Sequence, residues 1–385
     1  MLQILFTLIV FGLLGRDLRQ LYRYRRAASH GVHVGRLGCW IAIDLLPILL
    51  MAGILFDNPS WVMRGSMWIM WLWITISAAR LCYGFFTLLK LRTVGIALAT
   101  LGVAAMLYGA LWGRQALRVE EQEICSASLP ESFDGYRIAF FSDLHLGALV
   151  NTQKEVGQVV RQLNALSPDV VLFGGDLVNI RHSELDAQAT QLLQGIQAPV
   201  YAVIGNHDVG TYIGDTIALP AEVSYRRLVE QEEAMGWCVL QDSTCYLKRD
   251  ADSIALSGFA FDPQFKKERH DRILPLTGAE QGYNHVPTDL FNITMTHIPQ
   301  HWDEIRALGY GDLTLSGHTH AMQLKMRLGK GRGCSPARLI YPRWGGRYDE
   351  QGSTLYINEG IGYVIYPMRI GARPEITLIT LKRCE

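Results

Sequence analysis

In the stretch YRIAFFSDLHLGA (136–148), an apolar run ends on Asp143 and His145, two positions apart. Side chains at i and i+2 of a strand share a face, so this carboxylate and imidazole can converge where the strand stops. The same event recurs along the chain: Asp176 ends one run in GGDLVN, and Asn206, His207 and Asp208 end another in GNHD. His297 follows a third in MTHIP, and His318 with His320 closes a fourth in SGHTH. Any one of these has an ordinary reading as a turn or a helix cap. Gathered at adjacent strand ends without a cation, they would bury costly unpaired groups, so the set reads as a metal site. Aspartate, histidine and asparagine with no thiolate suit manganese, iron or zinc. Two aspartates, one asparagine and four histidines of this set already exceed what one ion takes, whereas two ions about 3.5–4 Å apart sharing a carboxylate use all seven.

The elements that must carry these residues alternate strand and helix from residue 136 onward, the pattern of a layered α/β fold. Strands are expected at YRIAFFS, DVVLFGG and VYAVIGN, separated by helical stretches at 152–166 and 183–194. A third helical stretch at 221–235 leads to a hairpin-like WCVLQDSTCYLKR, and then come SIALSGFAF, FNITMTH, DLTLSGH, TLYINEG and EITLITLKR. In such folds ligands bind at the carboxyl ends of the strands, so the polar residues should face one crevice. Cys238 and Cys245 flank the hairpin turn, which allows one disulfide there. Residues 327–348, rich in Gly, Pro and Arg, form the one irregular segment.

D-x-H, G-D, G-N-H-D, a lone His and G-H-x-H, in this order, resemble the calcineurin-like metallophosphoesterase family over about residues 136–383. The tail LYINEGIGYVIYPMRIGARPEITLITL is similar to that of its membrane-associated bacterial branch. The resemblance implies a four-layer α-β-β-α sandwich and two divalent ions. Asp143, His145 and His320 would hold one ion, Asn206, His297 and His318 the other, with Asp176 shared. Attack by a hydroxide held between them would cleave a phosphate ester or pyrophosphate. His207 would act on the leaving group, with Asp208 orienting its ring. One departure stands out: GHTHAMQ carries Ala321 and Met322 where the branch has glycines, which implies a bulkier pocket wall.

Charge divides the chain of 385 residues unevenly. Through residue 118 there are 12 Lys+Arg against 3 Asp+Glu, leaving 24 against 33 for the rest, so the first part is near +9 and the second near −9. The basic part holds apolar runs at 37–56, 67–89 and 94–113, each long enough to span a bilayer, and a shorter run at 1–15. Three or four transmembrane helices over 1–118, then a phosphoesterase domain over 119–385, are expected. Arg16, Arg19, Arg23, Arg25, Arg26 and Arg36 fill the first loop, and Lys90 with Arg92 the third, so both should be cytoplasmic and the catalytic domain extracytoplasmic. That makes a multi-pass protein of the bacterial cytoplasmic membrane. Arg114 and Arg118 break this pattern. Asp44 and Arg80, inside the runs, are expected to pair.

The expected activity is therefore membrane-anchored, metal-dependent hydrolysis of a phosphorylated small molecule or a lipid-linked substrate. A nuclease or cyclic-nucleotide-type phosphodiesterase is the alternative, but an acidic domain repels polyanions and no nucleic-acid partner is expected. A non-catalytic metal-bound sensor is the other. The short segment before residue 136 keeps the site near the bilayer, and Met322, Leu324, Arg343 and Arg347 are candidate contacts for a lipid stem and a second phosphate.

Overall fold

The computed structural model describes residues 10, 12–15, 17–19, 22, 37–47, 60–210, 212, 220–262, 275–327 and 333–384. The chain divides into two compact units, Met1–Met106 and Leu107–Glu385.

The first unit contains helix α1 (Leu37–Pro47), helix α2 (Ser60–Leu88) and most of helix α3 (Arg92–Leu111). Two of the described helices, Trp61–Leu88 and Arg92–Gln115, are long and apolar enough to cross a membrane. Much of the expected span at 1–15, the rest of that at 37–56, and Arg16, Arg23, Arg25, Arg26 and Arg36 lie outside the described residues. Arg80 of α2 reaches Asp44 of α1 at 2.7 Å, as expected, and also Asp17 at 2.5 Å, which the sequence reading left out. Trp40 stacks on the same guanidinium at 4.3 Å. One arginine thus neutralises carboxylates from two other segments.

The second unit holds two mixed six-stranded sheets, ordered β1-β12-β2-β3-β4-β5 and β10-β11-β9-β8-β7-β6. The first comprises β1 (Arg118–Ser126), β2 (Arg137–Phe141), β3 (Val170–Phe173), β4 (Val200–Ala202), β5 (Cys238–Val239) and β12 (Glu375–Arg383). The second comprises β6 (Ser243–Arg249), β7 (Asp252–Phe259), β8 (Asn292–Thr296), β9 (Leu313–Ser316), β10 (Gly346–Glu350) and β11 (Ser353–Ile357). Strands β2 to β5 run parallel, as do β7, β8, β9 and β11. Ile138, Phe140, Val170 and Leu172 of the first sheet share one core with Ile254, Leu256, Ile293, Met295 and Leu315 of the second, so the sheets pack face to face. Their alternate residues Phe141, Val171 and Phe173 are buried as well, because helices cover the outer face. Helix α4 (Thr152–Leu166) presents Val156, Val159, Val160 and Leu163 as one buried stripe and is capped by Asn151, whose side chain accepts from the Lys154 N–H. On the far side Trp302 packs on Leu355 and Ile357. These are the four expected layers.

Three expectations change. Residues 237–249 are no hairpin, since β5 and β6 belong to different sheets and the chain crosses between them there. Cys238 and Cys245 are accordingly free, and the disulfide joins Cys125 of β1 to Cys384 just past β12. Residues 118–126, expected as a plain connection, form an edge strand parallel to β12, in the register Arg118↔Glu375 to Ser126↔Arg383.

Candidate metal centre

Parallel strands bring their carboxyl ends to one rim, and that rim carries the polar set. Asp143 and His145 follow β2, Asp176 follows β3, Asn206, His207 and Asp208 follow β4, His297 follows β8, and His318 and His320 follow β9. Asp143, His145, Asp176, His318 and His320 all have φ between 48° and 73°. Non-glycine residues rarely adopt this region, and such strain persists where the surroundings impose it, most often at functional sites. The motif glycines are there for close approach: a Cβ on Gly205 would stand 2.1 Å from Asp176 Oδ1, and one on Gly317 2.3 Å from Asp143 Oδ2.

Three groups of side chains could each hold a metal ion: Asp143 with His145 and His320, Asp143 with Asp176 and His297, and His145 with Asp176 and His207. His145 Nε2 and His320 Nε2 are 3.0 Å apart, and His320 Nε2 is 3.2 Å from Asp143 Oδ1. His297 Nε2 lies 3.0 Å from Asp176 Oδ2 and 3.9 Å from Asp143 Oδ1. Atoms bound to one ion at 2.0–2.2 Å are separated by roughly 2.9–3.6 Å, so this donor set fits a divalent metal. The hydrogen bonding agrees. His297 Nδ1 donates to the Gly174 carbonyl at 2.8 Å, so in the neutral ring Nε2 presents a lone pair toward carboxylate oxygens and calls for positive charge between them. Burial lowers the His297 pKa, but Asp176 and Asp143 outweigh it and lift it to about 10, which expresses the same demand.

Asn206 and His318 form a second pairing beside this cluster. His318 Nδ1 is 2.9 Å from Asn206 Oδ1, and its ring meets that of His297 edge-on at 5.2 Å. The His207 ring is held by the Asn179 carbonyl at 2.6 Å and not by Asp208, which corrects the expected ring-orienting role. Asp208 instead accepts the backbone N–H groups of Asp176 (2.7 Å), Gly205 (2.9 Å) and Val178 (3.1 Å), tying the β3 and β4 loops together.

Some contributors escaped the sequence reading. Arg369, fully buried, donates to the carbonyls of Gly362, Glu359 and Ala372 and sits 3.1 Å from His320 Nδ1. The Tyr341 hydroxyl is 3.2 Å from His318 Nε2, and the Tyr212 hydroxyl 3.3 Å from Asn206 Nδ2. A charge inside the apolar tail was the only signal for Arg369. Glu184, whose carboxyl burial raises to about 7, bonds the N–H groups of Gly147, Asn179 and Ile180 and braces the β2 and β3 loops.

Arg343 and Arg347 are not placed for a second phosphate. Arg343 forks onto Asp303 and Glu350 and lies over Trp302 at 4.6 Å, while Arg347 pairs with Asp349 and the Glu123 carbonyl. Ala321 and Met322 both adopt left-handed backbone, with φ of 48° and 49°, the conformation glycine would take without cost.

A family model for calcineurin-like phosphoesterases matches residues 136–322. An uncharacterized metallophosphoesterase, YkuE of Bacillus subtilis, is 30% identical over 69% of this chain and 86% of its own length. A Danio rerio transmembrane protein with metallophosphoesterase domain is 32% identical over 76% of this chain, which spans only 63% of that relative. The UDP-2,3-diacylglucosamine pyrophosphatase LpxG of Chlamydia trachomatis is 24% identical over 66% of this chain and 86% of its own length. With residues 136–322 matched by that family model and a relative 30% identical over 69% of its length, the chain belongs to the calcineurin-like phosphoesterase family and is a metal-dependent phosphoric ester hydrolase.

Proposed function

We propose that the protein is a membrane-anchored, binuclear phosphoesterase or pyrophosphatase acting on a lipid-linked phosphate outside the cytoplasm. The observation that carries the metal part is the convergence of Nε2 atoms of His145, His297 and His320 with oxygens of Asp143 and Asp176 at 3.0–3.9 Å. Asp143, His145 and His320 would hold one ion, Asn206, His297 and His318 the other, with Asp176 shared between them. Manganese, iron and zinc suit these donors. When bound, such ions neutralise phosphoryl oxygens and acidify water, which supplies the nucleophile.

The chain's own residues do the rest. The Gly174 carbonyl fixes the His297 tautomer so that Nε2 is the donor atom, and Asp208 sets the spacing of the loops that carry Asp176 and Asn206. The Asn179 carbonyl takes the Nδ1–H of His207, so Nε2 of the neutral ring carries a lone pair that would first take a proton from the attacking water and then pass it to the leaving oxygen.

Anchoring is supported by the two apolar helices and by the transmembrane relative. An extracytoplasmic catalytic unit is supported by the arginine-rich first loop and by the Cys125–Cys384 disulfide, since such bridges persist in oxidising compartments. The exceptions Arg114 and Arg118 are spent inside the domain, on Glu155 at 2.7 Å and Glu375 at 2.5 Å. A lipid-linked substrate is supported by the anchor and by the relative named as a UDP-2,3-diacylglucosamine pyrophosphatase.

The test compares short- and long-chain versions of one lipid phosphate with the full-length enzyme in detergent, using Asp176→Asn as the inactive control. Expected is a kcat/KM roughly tenfold higher for the long chain, the effect of burying about two more methylenes at ~0.8 kcal/mol each. Equal values would remove the lipid-linked reading.

A further inference from the structure

We infer that the rim beside the metal centre is a membrane-docking face, formed by Leu324, Met326, Leu339 and Ile365 and continuous with the end of helix α3. The inference rests on the membrane anchoring proposed above. It commits to the bilayer as the occupant.

Just beyond His320, Leu324, Lys325 and Met326 run as extended chain, with Leu324 bridged to Ile370 and Met326 to Cys334. Side chains alternate in such a segment, so Lys325 turns inward onto Glu359 while Leu324 and Met326 share the outward face. Met326 is 67% exposed, Leu339 66% and Ile365 62%, a strong concentration of bare apolar side chains. They belong together: the Gln323 side chain binds Val364 N–H and the Tyr366 carbonyl on either side of Ile365, and Ser335, which caps the turn carrying Leu339, bonds the Ala321 carbonyl. Ile365 itself has φ of 65°, costly for a β-branched residue, so the loop holds it outward against its own preference. Contiguous apolar patches of more than a few hundred Å² mark interaction surfaces.

What covers this one follows from its neighbour. Met368 and Ile370 abut Gly109 of α3, where an added Cβ would stand 2.6 Å from each, and the Arg369 N–H bonds the Gly109 carbonyl. That helix end also exposes Tyr108 and Trp112, the aromatic types that settle at a membrane–water interface. That end of the helix, Leu107–Leu111, belongs to the same compact unit as the patch, and the helix is apolar enough to cross the bilayer. Exposed Arg327 and Arg338 on the same segments suit anionic head groups. Docking here sets the mouth of the site against the lipid surface.

The test places a benzophenone amino acid at Ile365 or Leu339 of the full chain in vesicles of phosphatidylethanolamine and phosphatidylglycerol. Tyr246, exposed on the edge strand β6, is the control position. Illumination should give lipid adducts by mass at Ile365 or Leu339 in roughly fivefold or greater yield than at Tyr246, as burial in the interface requires. Yields at both positions no higher than at Tyr246 would overturn the inference. The readout needs no turnover: adducts without any chain-length preference in hydrolysis would keep the docking face and sink the lipid-linked substrate, and the reverse pattern would do the opposite.

Discussion

Asp208→Asn changes one oxygen of a side chain that is 1% exposed. Asp208 Oδ2 takes the Asp176 and Gly205 N–H groups and Oδ1 takes that of Val178, at 2.7, 2.9 and 3.1 Å. The best asparagine rotamer keeps its oxygen on the first two and turns its NH2 against the Val178 N–H, donor facing donor. Losing the charge on two bonds costs about 1 kcal/mol and orphaning a buried donor about 1–3 more, so the variant should lose roughly 3 kcal/mol. For a unit this large each kcal/mol shifts Tm by about 2–4 °C, which predicts a fall of roughly 6–12 °C. Thermal scanning of the full-length protein in detergent reads it, with the exposed Asp289→Asn as a control expected to change little. Because the same bonds set the loops that carry Asp176 and Asn206, metal occupancy should fall too. A Tm within about 2 °C of wild type would refute the role given to Asp208.

His207→Ala should keep its metal and lose about 10²–10⁴-fold in turnover, whereas Asp176→Ala should lose both; a metal-free His207→Ala by elemental analysis would contradict its non-ligand role. Arg114→Met should destabilise the catalytic unit by about 3–5 kcal/mol, because Glu155 is left buried at the Arg114 site, and Arg114→Met with Glu155→Leu should recover most of that in denaturant melts. Exchanging charges at Asp44 and Arg80 should restore membrane protein levels only in part, since Asp17 would then face the new carboxylate; adding Asp17→Asn should complete the rescue on immunoblots.

The strand ends were legible because each combines an apolar run with polar residues that a strand interior does not tolerate, and the parallel connections then force those ends onto one rim. Asp143, His145, Asp176 and His297 needed nothing more to be singled out. Long-range partners left no such mark. Cys125 and Cys384 are 259 residues apart, and only the parallel pairing of β1 with β12 joins them, whereas the short Cys238–Cys245 spacing pointed elsewhere. Strand β1 itself was hidden by RVEEQEICS, whose charged residues suit a half-exposed edge. Arg343 and Arg347 looked available for phosphate because local sequence does not show that Asp303, Glu350 and Asp349 meet them. The Asn179 carbonyl that holds His207 is backbone and has no residue signature at all.

Metal counting tests the central claim most directly. The full-length protein, purified without chelator and saturated with manganese, iron or zinc, should carry two ions per chain by elemental analysis. Phosphoester hydrolysis should vanish on their removal and return on re-addition, and His297→Ala should hold at most one. A saturated wild-type protein that holds a single ion, or turns over undiminished after the metal is stripped, would contradict the account.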